Sequence, residues 1–402
     1  MKRTTRQFRG KAAVFTFLVA GILVADASSA ASDFLNALHP YVELGIGHDT
    51  NVFRVENPAQ AGELIDGTDM SDSFWSAEAG FDSQFTYQNQ EFGLRGRAFH
   101  NDYDRFNDVD FTGGDAAVTW DWTVGNLWNG EFGYEYRRSL RDFANQVTPH
   151  IDVGSSNLVS ALVARHLSTH LRLAARGELV ETGFSQENRL DLRRANTGLS
   201  LAYASRQGNT LSLDADYSTK ESQGNANLDY TESVIGPAID WSVREGSRIR
   251  ARLYYADRDQ DNPALGDYSG LVGRISWVWA KSETNSIRMS LWHEISSFGD
   301  EIATFALVTG VSIDPTFQVG SRASVSFGLG YETRDFKGEP ELPSQSLPHR
   351  DDDVLTGTFR LEWRLTEHSN VSCEYRTQDR QSTRAGRDYD FDLVQLNFRV
   401  GL

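Results

Sequence analysis

The chain has 402 residues, with 39 Lys and Arg set against 56 Asp and Glu, and a formal net charge of −17. An excess of negative charge on this scale argues against a nucleic-acid partner, which would need cationic patches. Mean hydropathy is negative and, beyond the N-terminal segment, no apolar run approaches the roughly 20 residues of a membrane-crossing helix, so a helical membrane protein is excluded.

In chain order, the first element is a leader. Lys2, Arg3, Arg6, Arg9 and Lys11 form a basic start, Ala12 to Ala25 an apolar centre, and Ser28-Ser29-Ala30 a small-residue cleavage site, so residues 1–30 read as a signal peptide cut near Ala30. Its removal takes away five positive charges and Asp26, which moves the net charge to −21. A single domain, 31–402, remains.

From Trp75 onward one unit recurs: about ten residues of apolar/polar alternation, then a connection that is alternately short and long. Ala116, Val118, Trp120, Trp122 and Val124 fall on one side of a strand, and Ala117, Thr119, Asp121 and Thr123 on the other. Trp75–Tyr87, Leu171–Leu179, Leu211–Tyr217, Ile249–Tyr255, Ala323–Tyr331 and Val394–Leu402 read the same way, and the count comes to about eighteen strands. Long acidic connections are expected at 49–73, 104–114, 138–155, 181–191, 218–230, 256–268, 332–353 and 376–390. Short turns are expected at Asn89-Gln90, Gly125–Asn129, His166–His170, Arg206–Asn209, Glu245–Ser247, Ser282–Asn285 and Thr366–Ser369, with a short link at 296–302 and a longer turn at 314–320.

Aromatic residues mark both ends of these strands. Tyr87, Trp120, Trp122, Tyr203, Trp241, Trp277, Trp279 and Trp363 sit beside short turns; Tyr134, Tyr136, Tyr217, Tyr255, Tyr331 and Tyr375 sit beside long loops. Two amphipathic girdles and an even strand number predict an all-β chain: a transmembrane antiparallel up-and-down β-barrel of about 18 strands in the outer membrane, with periplasmic termini. A soluble sandwich would use those rings as core. The lone Cys373 shares a face with Val371 and Tyr375 and reads as a small lipid-facing residue.

About eighteen strands would enclose water rather than a packed core. The alternation turns Arg95, Arg97, Glu131, Glu135, Arg137, Arg172, Arg176, Glu178, Asp214, Asp216, Arg248, Arg250, Arg252, Arg274, Arg288, Glu294, Arg322 and Arg360 inward, together with Phe99, Tyr103, Tyr254 and Trp292. Arginine forks bind carboxylates and sugar acids bidentately, and aromatic faces suit sugars. For any single residue the plainer reading is cross-strand pairing with an acid, or gap filling, which stiffens a wet wall. Catalysis finds no support, because the histidines are scattered and His166, His170 and His368 fall in turns. No cofactor or transition-metal spacing is present; Asp351-Asp352-Asp353 and Asp257/Asp259 read as solvated loop charge before they read as a cation site.

Three stretches resemble a family. Tyr41 to Arg54 (YVELGIGHDTNVFR) resembles the strand and turn that open the EpsL-type outer-membrane barrels, and Arg137–Phe143 and Leu361–Thr366 are similar to further phrases of that family. The resemblance implies a passive conduit for an exopolysaccharide, served by a periplasmic polysaccharide-export protein. Outer-membrane lipids and lipopolysaccharide would surround it. The alternating end, Val394 to Leu402, resembles the signal read by the barrel assembly machinery, with Leu402 where an aromatic residue is usual. Two other readings stay open: a general diffusion porin, favoured by a loop folded into the lumen, and a structural or adhesive barrel plugged by its own ion pairs.

Overall fold

The computed structural model describes residues 38–401 except 66, 224–227, 283–284, 298–302 and 338–348. The expected leader and Leu402 lie outside the described residues.

The described residues form eighteen strands: β1 (Pro40–Asp49), β2 (Asp72–Tyr87), β3 (Gln90–Tyr103), β4 (Phe111–Val124), β5 (Trp128–Leu140), β6 (Val153–His166), β7 (Leu171–Phe184), β8 (Leu192–Ala204), β9 (Thr210–Ser222), β10 (Tyr230–Arg244), β11 (Ser247–Gln260), β12 (Tyr268–Ser282), β13 (Asn285–Ser296), β14 (Phe305–Val319), β15 (Ala323–Lys337), β16 (Asp351–Arg364), β17 (Ser369–Ser382) and β18 (Tyr389–Gly401). Each pairs antiparallel with its chain neighbours, and β1 pairs β18 from Tyr41↔Gly401 to Asp49↔Leu393, so the sheet closes on itself, with the start of β1 and the end of β18 side by side at the short-turn end.

Period-two patterning explains which way the wall faces. Leu44 and Ile46 on β1, Leu253 on β11 and Leu396 on β18 are about half exposed, although they are large and apolar, while the alternate positions are charged, polar or glycine. A soluble sheet would bury that face; here it is the lipid-facing band. Cys373 lies opposite Leu361 and Leu396, on the same outer face. The girdle tyrosines beside the long loops direct their hydroxyls to polar neighbours: Tyr134 to Asn157 (3.0 Å), Tyr331 to Asp353 (2.9 Å) and Tyr375 to Asp392 (2.7 Å).

At the long-loop end the strands run further than the alternation does. β11 continues to Gln260 and β17 to Ser382, where loops were expected from 256 and 376. Past the girdle both faces are polar, with Asp257 and Asp259 on one and Arg258 and Gln260 on the other, so the two-residue period vanishes while the backbone ladder persists. The turn expected at 314–320 falls instead at 320–322, and β14 passes through Pro315. Proline has no N–H to give, so pairing to β15 skips from Ile313↔Leu329 to Thr316↔Ser326 while the ladder to β13 continues through Ile287.

Where the ladder ends, carboxylates take over the unpaired amides. The backbone N–H groups of Tyr103, Phe184, Ser222, Gln260 and Ser382 donate to Asp110 (2.8 Å), Asp191 (2.6 Å), Asp229 (2.6 Å), Asp267 (2.9 Å) and Asp388 (2.6 Å), in five of the long loops. Asp72 and Asp152 tie adjacent loops together by accepting from Phe106 N (2.9 Å) and Gln186 N (2.8 Å). Much of the acidity of the long loops is thus structural.

At the other end, Glu245-Gly246 makes a two-residue hairpin. Gly246 has φ of 70°, and a Cβ there would lie 2.0 Å from the Ala280 carbonyl oxygen. Gly246→Ala is expected to cost about 1–3 kcal/mol through left-handed strain alone, before the clash is added. A lower urea midpoint for the barrel refolded into vesicles would show it; an unchanged midpoint would mean the hairpin re-forms without cost.

Candidate functional site

The inner wall is ionised and largely self-paired. Arg97 bridges Asp115 (2.7 Å) and Glu78 (3.6 Å) and lies beside the Phe99 ring; Arg95 reaches Asp115 (3.6 Å) and Glu135 (4.0 Å); Arg137 pairs with Glu135 (3.1 Å). Arg176 grips Asp216 through two nitrogens, Glu178 pairs with Arg194 (3.1 Å), and Arg360 pairs with Glu374. Asp214 accepts from Tyr254 Oη (2.8 Å) and Ser200 Oγ (2.5 Å). Cross-strand pairing therefore accounts for most of the residues expected on the inner face. Glu131 and Arg172 share that face without joining these pairs, whereas Arg322 lies exposed in the 320–322 turn, because β15 begins one residue later. The acidic partners that sequence reasoning passed over were legible by the same parity: Glu78, Asp115, Asp240, Asp314 and Glu374 stand on inner positions of strands already recognised.

One stretch of wall is different. Between β9 and β14, nearer the short turns, the inner face holds a recess of about 880 Å³ lined by Arg248, Arg250, Arg252, Arg274 and Arg288 with Asp240 and Asp314. Arg248 and Arg250 share Asp240, the second at 3.2 Å; Arg252 (2.5 Å) and Arg274 (2.6 Å) share Glu294, and Arg274 also lies 4.9 Å from the Trp292 ring. Arg288 stands opposite Asp314 in register.

The long-loop mouth is capped from inside. The segment 50–71, with a 3-10 turn at Pro58–Leu64, buries Val52, Phe53, Val55, Ala61 and Ile65 against Phe106 and Phe143 from the next two long loops. Phe53 is 1% exposed, and meets Phe106 and Phe143 edge-on at 5.0 and 5.2 Å. Lumen-facing Tyr103 packs on this cluster, so it supports the cap and does not line an open path. Arg54 pairs with Asp49 (2.7 Å) and lies over the Phe391 ring, 3.5 Å from its centroid. The 141–152 segment crosses to the far rim, where Arg380 Nη1 donates to Ala144 O (2.8 Å) and Arg387 Nη1 to Gln146 O (2.7 Å). Asp69, hydrogen-bonded by Ser71 and Arg105, has its carboxyl pushed down to about 2, so this tie is fully formed above the ordinary aspartate range and is lost only as pH falls through about 2.

The acidic run 351–353 also departs from expectation. Asp351 and Asp353 face outward, but Asp352 is fully buried, pairs with Arg350 (2.7 Å) and accepts from Ser382 Oγ (2.5 Å), because strand alternation carries every second residue inward. The three cannot converge on one cation. Asp335, His349 and Asp351 do gather at the outer rim, where Lys337 already sits 2.8 Å from Asp335. The apolar residues of the cap were the missed signal: Val52, Phe53, Phe106 and Phe143 are hydrophobic residues inside otherwise polar connections.

Residues 251–402 match a family model described as "Putative beta-barrel porin 2". No curated protein matches the chain. Among solved structures, Pseudomonas aeruginosa OccK2 (OpdF) aligns with 10% identity and a TM-score of 0.50, covering 92% of this chain and 99% of that one. A BenF-like porin from Pseudomonas fluorescens Pf-5 aligns with 10% identity and a TM-score of 0.50, covering 92% and 100%. The likeness is one of fold: a closed porin-type barrel. It does not reach the finer EpsL-type grouping that the opening residues resemble.

Phe53→Ala removes the centre of the cap at a cost of about 3–5 kcal/mol, the usual range for a buried phenylalanine. A higher single-channel conductance and faster protease cleavage within 50–65 are expected, with the barrel still resistant to detergent. Unchanged conductance would mean that the cap does not set the narrowest part of the path.

Proposed function

We propose that this chain is an outer-membrane channel through which small hydrophilic solutes diffuse passively, with the long loops outside the cell and both termini in the periplasm. The observation that carries the reading is the inward-packed segment 50–71. A closed eighteen-stranded barrel with an ionised inner wall holds water, and a loop core seated in its mouth limits what enters by size. The porin-type fold and the family match over 251–402 support it.

The polysaccharide conduit remains a second reading, in which arginine and aromatic side chains on the inner wall offer weak, replaceable contacts to an acidic polymer passing from a periplasmic export partner. The cap weighs against it, since a chain of linked sugars needs a path that stays open along its whole length.

Liposome swelling with the purified protein separates the two. Uptake is expected to fall steeply from monosaccharide to tetrasaccharide, and deletion of the gene is expected to leave secreted polysaccharide unchanged. Loss of surface polymer on deletion, together with vesicles that admit no small sugar, would overturn the diffusion channel and favour the conduit.

A further inference from the structure

The recess between β9 and β14 holds more positive charge than its own acids can occupy. Five guanidiniums stand against Asp240, Asp314 and the neighbouring Glu294. Each arginine presents five N–H donors in a fixed fork, whereas one carboxylate shared by two arginines occupies only part of each fork. Arg250 illustrates this: its side chain is 65% exposed although it contacts Asp240.

The floor is made of hydroxyls. Ser276 and Ser290 face each other across β12 and β13 with oxygens 3.1 Å apart, and Ser290 stands opposite Ser312 on β14. Three small polar residues in a row span about 10 Å at the usual strand spacing, enough for a single sugar-sized molecule. Arg250 stands at the end of this row, opposite Ser276; Arg288 stands on its short-turn side, and Arg252 and Arg274 on the other. Two in-strand prolines bound the site: Pro237 on β10 and Pro315 on β14, each at a break in the ladder to one neighbour. Nothing comparable occurs along β3 to β5, where Arg95, Arg97 and Arg137 are matched by Asp115, Glu78 and Glu135.

We infer that this recess is a binding subsite for small hydroxylated carboxylates of the sugar-acid kind. The carboxylate meets two arginine forks at once, and the hydroxyls donate to oxygens of the serine row, where Ser312 already donates to Asp314 (3.0 Å) and Ser276 and Ser290 share one hydrogen bond. Partial exposure keeps each contact weak, so a bound molecule leaves as readily as it enters. The inference rests on the channel reading, and its test separates the two.

The test is single-channel recording of the full mature protein in planar bilayers, with D-galacturonate as the probe, D-galactose as its neutral counterpart and acetate as the bare carboxylate. Galacturonate is expected to block conductance in a saturable manner, with galactose inert and acetate at least several-fold weaker. In Arg250→Gln with Arg288→Gln, Asp240 keeps Arg248 and Glu294 keeps both its partners, and the half-blocking concentration is expected to rise about tenfold. Galacturonate block that is absent, or that survives the double substitution, would overturn the subsite. Equal block by acetate would overturn its hydroxyl-reading half. Protein that inserts as a folded barrel but shows no conductance steps would overturn the channel reading itself.

Discussion

Inside a bilayer no water is available to backbone amides, and an unpaired N–H or C=O costs several kcal/mol. Closure of β1 on β18 is the constraint from which the rest follows, because it leaves the sheet without an edge. Once the ladder is closed, strand parity is no longer free. Each residue faces lipid or lumen by its position alone, and a slip of one residue would drive Arg250 and Arg252 into hydrocarbon and Ile249 and Ala251 into water. Charge on the inner wall and apolar bulk on the outer wall are thus two expressions of one register.

That register explains why the ion pairs add little stability and still matter. Wet, exposed pairs contribute about 0–1 kcal/mol each, so Arg137–Glu135 or Arg360–Glu374 do not hold the barrel together. Their effect is to set the local field of the lumen: matched across β3 to β5, and tipped positive across β11 to β13. Burial changes the balance at the rim. Asp352, Arg350 and Arg380 are almost wholly out of solvent, so loss of one partner would leave a buried charge uncompensated.

The strands were legible in the sequence wherever lipid reads them. Trp75–Tyr87 or Val394–Phe398 alternate because one face must be apolar, and the girdles mark where that demand stops. Above the girdle nothing selects an apolar face, so the last residues of β11 and β17 continue the ladder with no period to betray it. The same loss of signal hid the cap, whose core joins five residues of the 50–71 segment to Phe106, Val109 and Phe143 of the next two long loops, so that no single window shows what they pack against. Inner-wall residues were readable by parity, but their pairing was not. Arg252 is bound to Glu294, two strands away around the wall, and only the register shows that they meet.

Cap and wall also differ in what holds them. The wall is one cooperative ladder, whereas the segment 50–71 is held by a small apolar cluster and a few side-chain ties such as Arg54–Asp49. Burying a large apolar side chain contributes about 1.5–3 kcal/mol, so a cluster of this size can hold the segment down yet open locally without any strand leaving the barrel. On the diffusion-channel reading proposed above, size discrimination falls to the less stable element and charge discrimination to the more stable one. On the same reading, a solute entering from the long-loop side meets them in series, first the apolar-cored mouth and then the basic recess nearer the short turns. Loosening the mouth would change what enters while leaving intact the field that sorts it.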